Sequence, residues 1–290
     1  MCIIIFYNVS EENQLTLTID SKKITFIDVL FEFQNTVIKE GKPSNVDVVL
    51  LGKDDNNDNK VILFLESKFS EYLDVSSQFT DLGLDYLREY ECIYNDDFLK
   101  NIGFSIIKNE KEPKVFKKKK NGKIKEYNGI ETTNKSNSYI EGVKQMISHY
   151  IGINNLLEEG FHDKKDNHIK LQKLYVFLDK GTTEGYEKIQ LDKKELMKKL
   201  KQSKVYLGEI LFDFHNMNIG NKEDFYNYSD KYTKLAENLK VLEDKNKSRN
   251  KIIVLPQLLT YSLFKDNKEN SKYKIEHKIE DKIKEYYKLN

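Results

Sequence analysis

Alternating apolar and polar residues mark short strands in the first quarter of the chain. Residues 2–7 form an apolar stretch and residues 14–19 alternate, so both segments predict strands. Residues 46–51 and 61–69 are apolar runs, and the Asp- and Asn-rich residues 52–60 between them suit a hairpin loop. A β-hairpin over these three segments is the clearest element that the pattern predicts.

A helical spacing of apolar residues marks a second class of elements. Phe26, Leu30, Phe33 and Val37 recur at intervals of three to four, which predicts a helix over residues 26–38. The same kind of pattern predicts helices over residues 76–100, 138–160, 193–202, 225–242 and 272–289. Further strands are predicted over the short apolar runs at residues 171–178, 205–214 and 252–255.

The order of these elements predicts an α/β fold. No internal repeat and no linker divides the chain, so we expect a single domain over residues 1–290. Residues 108–137 differ from the rest, because they contain the lysine run 117–120 followed by Asn121-Gly122. We interpret them as an exposed, lysine-rich loop or insertion.

Charge limits the ways in which this chain could bind nucleic acid. The chain carries 48 basic and 47 acidic side chains, a net charge of +1, which argues against a strongly basic nucleic-acid clamp. Any attraction for DNA must come from a local patch. Only two of the basic residues, Arg88 and Arg249, are arginine, so contacts to phosphate would come from lysine.

Cysteine content and hydropathy bear on the compartment. Cys2 and Cys92 form no metal or redox motif, and so little cysteine fits a reducing cytoplasm. No stretch approaches the roughly 18 apolar residues of a membrane helix. We therefore expect a cytoplasmic protein without a membrane partner.

The predicted hairpin carries the residues with chemical potential. Side chains alternate across a strand, so Glu66 and Lys68 share one face at the end of an apolar run. Asp47 interrupts the other run, where a buried carboxylate needs a cation, a metal or hydrogen bonds. Pairing of the two strands would bring Asp47 beside Glu66, so two carboxylates and an ammonium would converge.

Such a group suits metal-dependent phosphodiester hydrolysis. Mg²⁺ prefers carboxylate and carbonyl oxygens, so Asp47, Glu66 and the backbone carbonyl of Ser67 are candidate ligands, with Mn²⁺ as a substitute. A metal acidifies bound water and neutralises phosphate charge. Lys68 could orient that water and stabilise developing negative charge.

Asp47, followed after 18 residues by Glu66-Ser67-Lys68, resembles the signature of the PD-(D/E)xK nuclease superfamily. Val46 stands where the family pattern has proline, a departure that many members share. The resemblance implies a restriction-endonuclease-like, three-layer α/β/α core with a central mixed sheet. It also implies a Mg²⁺-dependent endodeoxyribonuclease that acts on DNA in restriction or genome defence.

The helix predicted over residues 138–160 adds a second point of resemblance. Gln145 and His149 lie one turn apart on it, and several nuclease subfamilies carry a Q-x-x-x-Y motif on the helix that follows the catalytic strands. His149 occupies the fifth position here, with Tyr150 beside it. By this resemblance Gln145 would assist the substrate or Lys68.

Simpler interpretations stay open for each of these residues. Glu66 and Lys68 could be an ion pair at an exposed strand end, and Asp47 could bind only backbone amides. Gln145 could be a surface residue and His149 locally satisfied, while Glu32 on the preceding predicted helix could be a distal carboxylate or merely solvated. The lysines of residues 117–125 could bind phosphate or form a solvated loop.

Two further alternatives concern the whole protein, and one of them is an α/β scaffold of a phage or mobile element with no DNA role. A nuclease fold that has lost turnover would bind nucleic acid or another partner without cutting it. Cleavage of both strands of a duplex often uses a twofold arrangement, so a homodimer is compatible with the resemblance.

Overall fold

The computed structural model describes residues 6–37, 43–68, 115–120, 123–128, 143–158, 165–211, 222–245 and 252–260, which adopt a mixed α/β fold. The strands are β1 (Leu15–Ile19), β2 (Lys22–Asn35), β3 (Ser44–Asp54), β4 (Lys60–Lys68), β5 (Val115–Lys120), β6 (Lys123–Asn128), β7 (Lys204–Leu211), β8 (Ile252–Val254) and β9 (Leu259–Thr260). The helices are α1 (Val143–Glu158), α2 (Lys165–Lys180), α3 (Lys193–Gln202) and α4 (Lys222–Lys245), with a 3₁₀ turn at Tyr186–Lys188.

A seven-stranded mixed sheet forms the centre of the fold. Its strands lie in the order β1-β2-β3-β4-β7-β8, and β9 also pairs with β7. The first four strands are antiparallel neighbours, whereas β7 runs parallel to β4 and β8 runs parallel to β7. Strands β3 and β4 therefore occupy the middle of the sheet, as continuous apolar runs require, since both of their faces are covered.

The helix that the spacing predicted over residues 26–38 is wrong, because residues 22–35 are strand β2. The pairing with β3 shifts by one residue between Phe26 and Asp28, and the alternation of buried positions along β2 shifts with it. Glu32, with a φ of 52°, breaks the regular alternation a second time. Because the strand alternation shifts twice, buried residues recur at intervals of three to four, as they do in a helix. The helix prediction was wrong for this reason.

Residues 171–178 form part of helix α2 instead of the predicted strand. Leu171, Leu174, Phe177 and Leu178 are all buried and share one helical face. The alternation of Leu174, Val176 and Leu178 is a by-product of a helix that is buried over most of its circumference. Gly181, with a φ of 77°, ends the helix, and its N–H donates to the carbonyl of Phe177.

The remaining predictions fall into three groups. The helices predicted over residues 193–202 and 225–242 and the strands over 205–214 and 252–255 correspond to α3, α4, β7 and β8. Part of the expected lysine-rich loop is the two-stranded sheet of β5 and β6. The helices predicted over residues 76–100 and 272–289 lie outside the described residues, and so do residues 2–5 of the strand predicted over residues 2–7, of which the described Phe6 and Tyr7 are not in a strand.

Helix α1 packs closely on β2 and thereby fixes the position of its own polar residues. A Cβ atom at Gly152 would come within 2.6 Å of Cβ of Asn35, so only glycine permits this approach. Asn155 Nδ2 donates to the carbonyls of Thr36 and Val37, at 2.8 and 3.1 Å. Among the helices of the described segments, none is long and apolar enough to cross a membrane.

Candidate active site

The candidate site lies where the paired part of the β3–β4 hairpin ends. Val48 and Leu65 are the last paired positions, so Asp47 and Glu66 are the next positions on neighbouring strands. Beyond this pair, the backbone N–H of Ser67 donates to Oδ2 of Asp47 at 2.8 Å. The hairpin therefore brings Asp47 to the Glu66-Ser67 segment, the arrangement that the alternation of the two strands predicted.

Lys68 supplies a buried cation beside these carboxylates. It is only 3% exposed, and its Nζ donates to Oε1 of Glu66 at 2.9 Å. The same Nζ donates to Oε1 of Gln145 on α1. A buried ammonium requires such partners, because its desolvation is otherwise unfavourable. Gln145 is itself exposed, so this contact lies at the surface of the site.

A second chain of hydrogen bonds reaches Glu66 from the other side. Nε2 of His149 lies 2.8 Å from Oε2 of Glu66, and Nδ1 of His149 lies 2.5 Å from Oγ of Ser44. His149 is 2% exposed, Glu66 3% and Ser44 8%, so this chain is excluded from solvent. Both oxygens of Glu66 are thus held, one by Lys68 and one by His149.

The carboxyl of Asp47 is electrostatically unfavourable as an anion. Burial raises its pKa to about 6, and the nearby charges of Glu66 and Glu32 add to the rise. The N–H of Ser67 and the charge of Lys68 act in the opposite direction but are outweighed. The anionic form of Asp47 is therefore disfavoured by burial first and by neighbouring acids second, and a cation placed beside it would stabilise that form.

Glu66 differs from Asp47 in its direction of shift. Burial alone raises the pKa of Glu66, but the hydrogen bond and charge of His149 and then the ammonium of Lys68 outweigh it and hold the pKa below its ordinary value. Glu66 is therefore ionised at neutral pH although it is buried. Neighbouring carboxyls with opposite shifts are a common feature of functional sites.

Glu32 lies on β2, not on the helix that the sequence predicted. Phe31 and Phe33 pair with the β3 positions on either side of Asp47, so the register places Glu32 opposite Asp47. Its φ of 52° is in the left-handed region, which is uncommon for residues other than glycine. The side chain is exposed, and its influence on Asp47 is through its charge.

Sequence reasoning missed two residues next to this group, Ser44 and Glu209. Ser44 is the first residue of β3 and offered no distinguishing signal. Glu209 is fully buried on β7, in register with Glu66, and accepts a hydrogen bond from the hydroxyl of Tyr228 at 2.9 Å. It carried the same signal as Asp47, an acidic residue inside an apolar run, and could have been found by it.

The oxygen donors of this group are of the kind that hard divalent cations prefer. The carboxylates of Asp47 and Glu66 and the carbonyl of Ser67 are the residues that could hold such an ion. Within the described segments, no three His, Cys, Asp or Glu side chains are grouped as metal ligands. The proposed ligand set contains only two such side chains, because its third ligand is the main-chain carbonyl of Ser67. A cation between Asp47 and Glu66 would also offset the repulsion between these two carboxylates.

Comparison of the chain with protein-family models gave no match. Comparison with curated proteins and with solved structures gave none either. The assignment of a function therefore depends on the geometry and chemistry of the residues described above.

Proposed function

We propose that this protein is a metal-dependent endodeoxyribonuclease of the PD-(D/E)xK type. The observation that carries the proposal is the convergence of Asp47, Glu66 and Lys68 at the end of one hairpin, with Gln145 bound to Lys68 from helix α1. The resemblance stated from the sequence requires these four residues to meet. Glu66 and Lys68 are neighbours on one strand in any case, but a chance motif gives no reason for Asp47 to reach Ser67 or for Gln145 to reach Lys68.

Some residues of the site would bind the metal, and others would assist the attacking water. Asp47, Glu66 and the carbonyl of Ser67 would hold Mg²⁺, or Mn²⁺ in its place. The bound metal would supply an acidified water and neutralise charge on the phosphate. The ammonium of Lys68, fixed by Glu66 and Gln145, is preorganised to orient that water and to stabilise negative charge that develops during attack.

The topology supports a restriction-endonuclease-like core with a three-layer α/β/α arrangement. An antiparallel meander is followed by a strand parallel to β4, and the candidate residues lie on the two central strands. Helix α1, the first described helix after β4, contributes Gln145. A central mixed sheet, and a helix after the two strands that carries Gln145, are features that the resemblance implies, so both support the same proposal.

DNA is the proposed substrate because its phosphates match the positive charge of one element. The paired strands β5 and β6 contain six lysines and one glutamate, while the whole chain is close to neutral. The register sets Lys118 opposite Lys125 and Lys120 opposite Lys123. Like charges opposite one another destabilise a ribbon, so a polyanionic partner would stabilise it.

Binding without turnover is the second candidate function. The observation that favours it is that both oxygens of Glu66 already accept hydrogen bonds, from Lys68 and from His149. A carboxylate has about four lone-pair positions, so these two bonds do not prevent coordination. Retention of DNA without cleavage under Mg²⁺ and Mn²⁺ would identify this second function.

Digestion of plasmid DNA with Mg²⁺ tests the proposal. We expect wild-type protein to cut, Asp47→Asn protein to show no cleavage, and Lys68→Ala protein to cut about 100-fold more slowly or worse. Asp58→Asn and Lys198→Ala, which change exposed residues outside the site, are matched controls and should retain the wild-type rate. Full cleavage by the Asp47 or Lys68 variant would exclude the proposed site.

The products of the same digestion report on assembly. Direct conversion of supercoiled plasmid to linear DNA is expected if two copies of the chain act as a homodimer on both strands. Accumulation of nicked circles would indicate that a single copy cuts one strand at a time.

A further inference from the structure

Ser44 and His149, which lead by hydrogen bonds to Glu66, have no role in the mechanism proposed above, although both are almost completely buried. They join the first residue of β3, helix α1 and the end of β4 by hydrogen bonds of 2.5 and 2.8 Å. A buried histidine between a hydroxyl and a carboxylate is a specific arrangement, because each ring nitrogen has a single matching partner. Its position against a candidate metal ligand indicates a function in the site.

We propose that Ser44 and His149 are positioning residues that fix the orientation of the Glu66 carboxylate and thereby set the affinity of the site for a divalent cation. This inference rests on the proposed function, since it assigns the cation to the same site. Neither residue contacts substrate in this proposal. They act through Glu66, in the way that outer-shell partners tune metal ligands in other sites.

The chemistry of Glu66 and Ser44 limits which atoms can donate in the two hydrogen bonds of His149. Ionised Glu66 only accepts hydrogen bonds, so Nε2 of His149 must carry the hydrogen that it donates to Oε2. The hydroxyl of Ser44 can donate to Nδ1 where His149 is neutral and accept from Nδ1 where His149 is charged. In both forms Ser44 holds the ring so that Nε2 points at Oε2 of Glu66.

The two donors on Glu66 define its orientation from opposite ends. Lys68 holds Oε1 at 2.9 Å and Nε2 of His149 holds Oε2 at 2.8 Å, so rotation of the carboxylate would break one bond or both. The lone pairs that these donors leave free keep a fixed direction. Fixing a ligand before the cation arrives avoids the entropy loss of ordering it afterwards.

A nucleophilic role for Ser44 is the competing interpretation. Serine, histidine and a carboxylate in series resemble the order of a catalytic triad in connectivity. Ser44 is only 8% exposed and lies at the start of a paired strand, so a substrate phosphate or carbonyl cannot reach its hydroxyl in this structure. The burial therefore favours positioning.

Two substitutions of His149 test its hydrogen bond to Glu66 and its hydrogen bond to Ser44 separately. His149→Gln places an amide donor at the reach of Nε2, so it can keep the bond to Glu66, whereas His149→Asn matches Nδ1 and reaches only towards Ser44. Titration of DNA-free protein with Mn²⁺ in a calorimeter is the measurement. We expect His149→Asn to bind Mn²⁺ about 10- to 100-fold more weakly, an order of magnitude typical of outer-shell partners. His149→Gln should stay within a few-fold of wild type.

Substitution of Ser44 provides an independent test if His149→Asn fails to fold. Ser44→Ala removes the donor to Nδ1, and Ser44→Thr keeps a hydroxyl as the matched control. We expect Ser44→Ala to weaken Mn²⁺ binding and to shift the ¹⁵N resonance of Nδ1 of His149, which loses its hydrogen-bond partner. A purely structural role for Ser44 would leave the Mn²⁺ affinity of the folded variant unchanged.

The outcomes distinguish this inference from the proposed function. Equal Mn²⁺ affinity in wild type, His149→Asn and Ser44→Ala, together with loss of binding in Asp47→Asn, would overturn the positioning role and leave the nuclease proposal intact. Absence of Mn²⁺ binding by the wild-type protein would overturn both. Labelling of Ser44 by a fluorophosphonate would instead support the nucleophilic interpretation and overturn positioning.

Discussion

At the scale of single residues, the site keeps two neighbouring carboxyls in different electrostatic states. Glu66 is stabilised as an anion by His149 and Lys68, whereas Asp47 has a pKa raised to about 6 by burial and by neighbouring acids. Two carboxyls whose pKa values differ in this way are suited to different functions. The arrangement has a consequence for stability, because ionised Asp47 is less favourable in the folded chain than in the unfolded one.

Asp47→Asn is expected to stabilise the metal-free protein while abolishing cleavage. Because the folded-state pKa of Asp47 is about 6 and its ordinary value is near 4, folding stability falls as the pH rises from 4 to 6. The full cost above that range is at most about 3 kcal/mol, since each pKa unit corresponds to about 1.4 kcal/mol. Urea unfolding at pH 8 with EDTA should show the Asp47→Asn protein to be more stable than wild type, by about 1 to 3 kcal/mol.

The control for this experiment is the same comparison at lower pH. The advantage of the Asp47→Asn protein should shrink as the pH is lowered from 6 towards 4, where wild-type Asp47 is protonated in the folded chain. A variant that is less stable than wild type at pH 8 would show that the hydrogen bond from Ser67, not the charge, dominates.

Site residues that a local sequence pattern marks could be predicted from the sequence. Site residues whose role depends on a partner far away in the sequence could not. Alternation along two strands was enough to predict that Asp47, Glu66 and Lys68 meet, and the resemblance to a Q-x-x-x-Y motif singled out Gln145. Ser44 gains its significance only from His149, which lies more than one hundred positions away in the chain. No pattern within β3 could reveal that contact.

At the scale of secondary-structure elements, sequence periodicity failed where a local irregularity or complete burial altered it. The register shift between Phe26 and Asp28 re-phased β2 and imitated a helix. Burial of Leu174, Val176 and Leu178 on several sides of α2 imitated a strand. The central hairpin of β3 and β4 was predictable because continuous apolar runs joined by a polar loop have few other interpretations.

Gly152→Ala tests how closely α1 must approach β2. Alanine favours helix by about 1 kcal/mol relative to glycine. The new methyl group would lie 2.6 Å from Cβ of Asn35, a distance that requires the helix to move. We expect a net loss of about 1 to 3 kcal/mol in urea unfolding, the usual cost of overpacking. DNA cleavage should also fall, because Gln145 and His149 lie on the same helix.

A second substitution on α1 serves as the reference for Gly152→Ala. Asn154→Ala likewise raises the helix propensity of α1, but it removes atoms from a partly exposed position instead of adding them at a close contact. Its stability should stay within about 0.5 kcal/mol of wild type. A stabilised Gly152→Ala protein would mean that the helix is free to move away from β2 without loss.

At the scale of the whole molecule, an almost neutral chain conceals a separation of charge. Strands β5 and β6 carry six lysines against one glutamate, a net charge of +5, whereas the chain carries +1, so all other residues together carry −4. A polyanion attracted to the ribbon is therefore repelled on average by the remainder. Total charge could not reveal this, and the lysine-rich loop expected from the sequence gains a defined register only as a paired ribbon.

Replacement of Lys118, Lys120, Lys123 and Lys125 by glutamine should weaken DNA binding by the whole protein. Each phosphate contact contributes about −0.9 to the slope of log affinity against log salt, so loss of up to four contacts should reduce the slope by up to about 3.6. The control removes the same charge from Lys193, Lys194, Lys198 and Lys201 on α3. Binding is measured in the Asp47→Asn background without divalent metal, so that the DNA stays intact. Equal losses in both quadruple variants would mean that DNA responds to net charge, and the ribbon would then have no special role in binding.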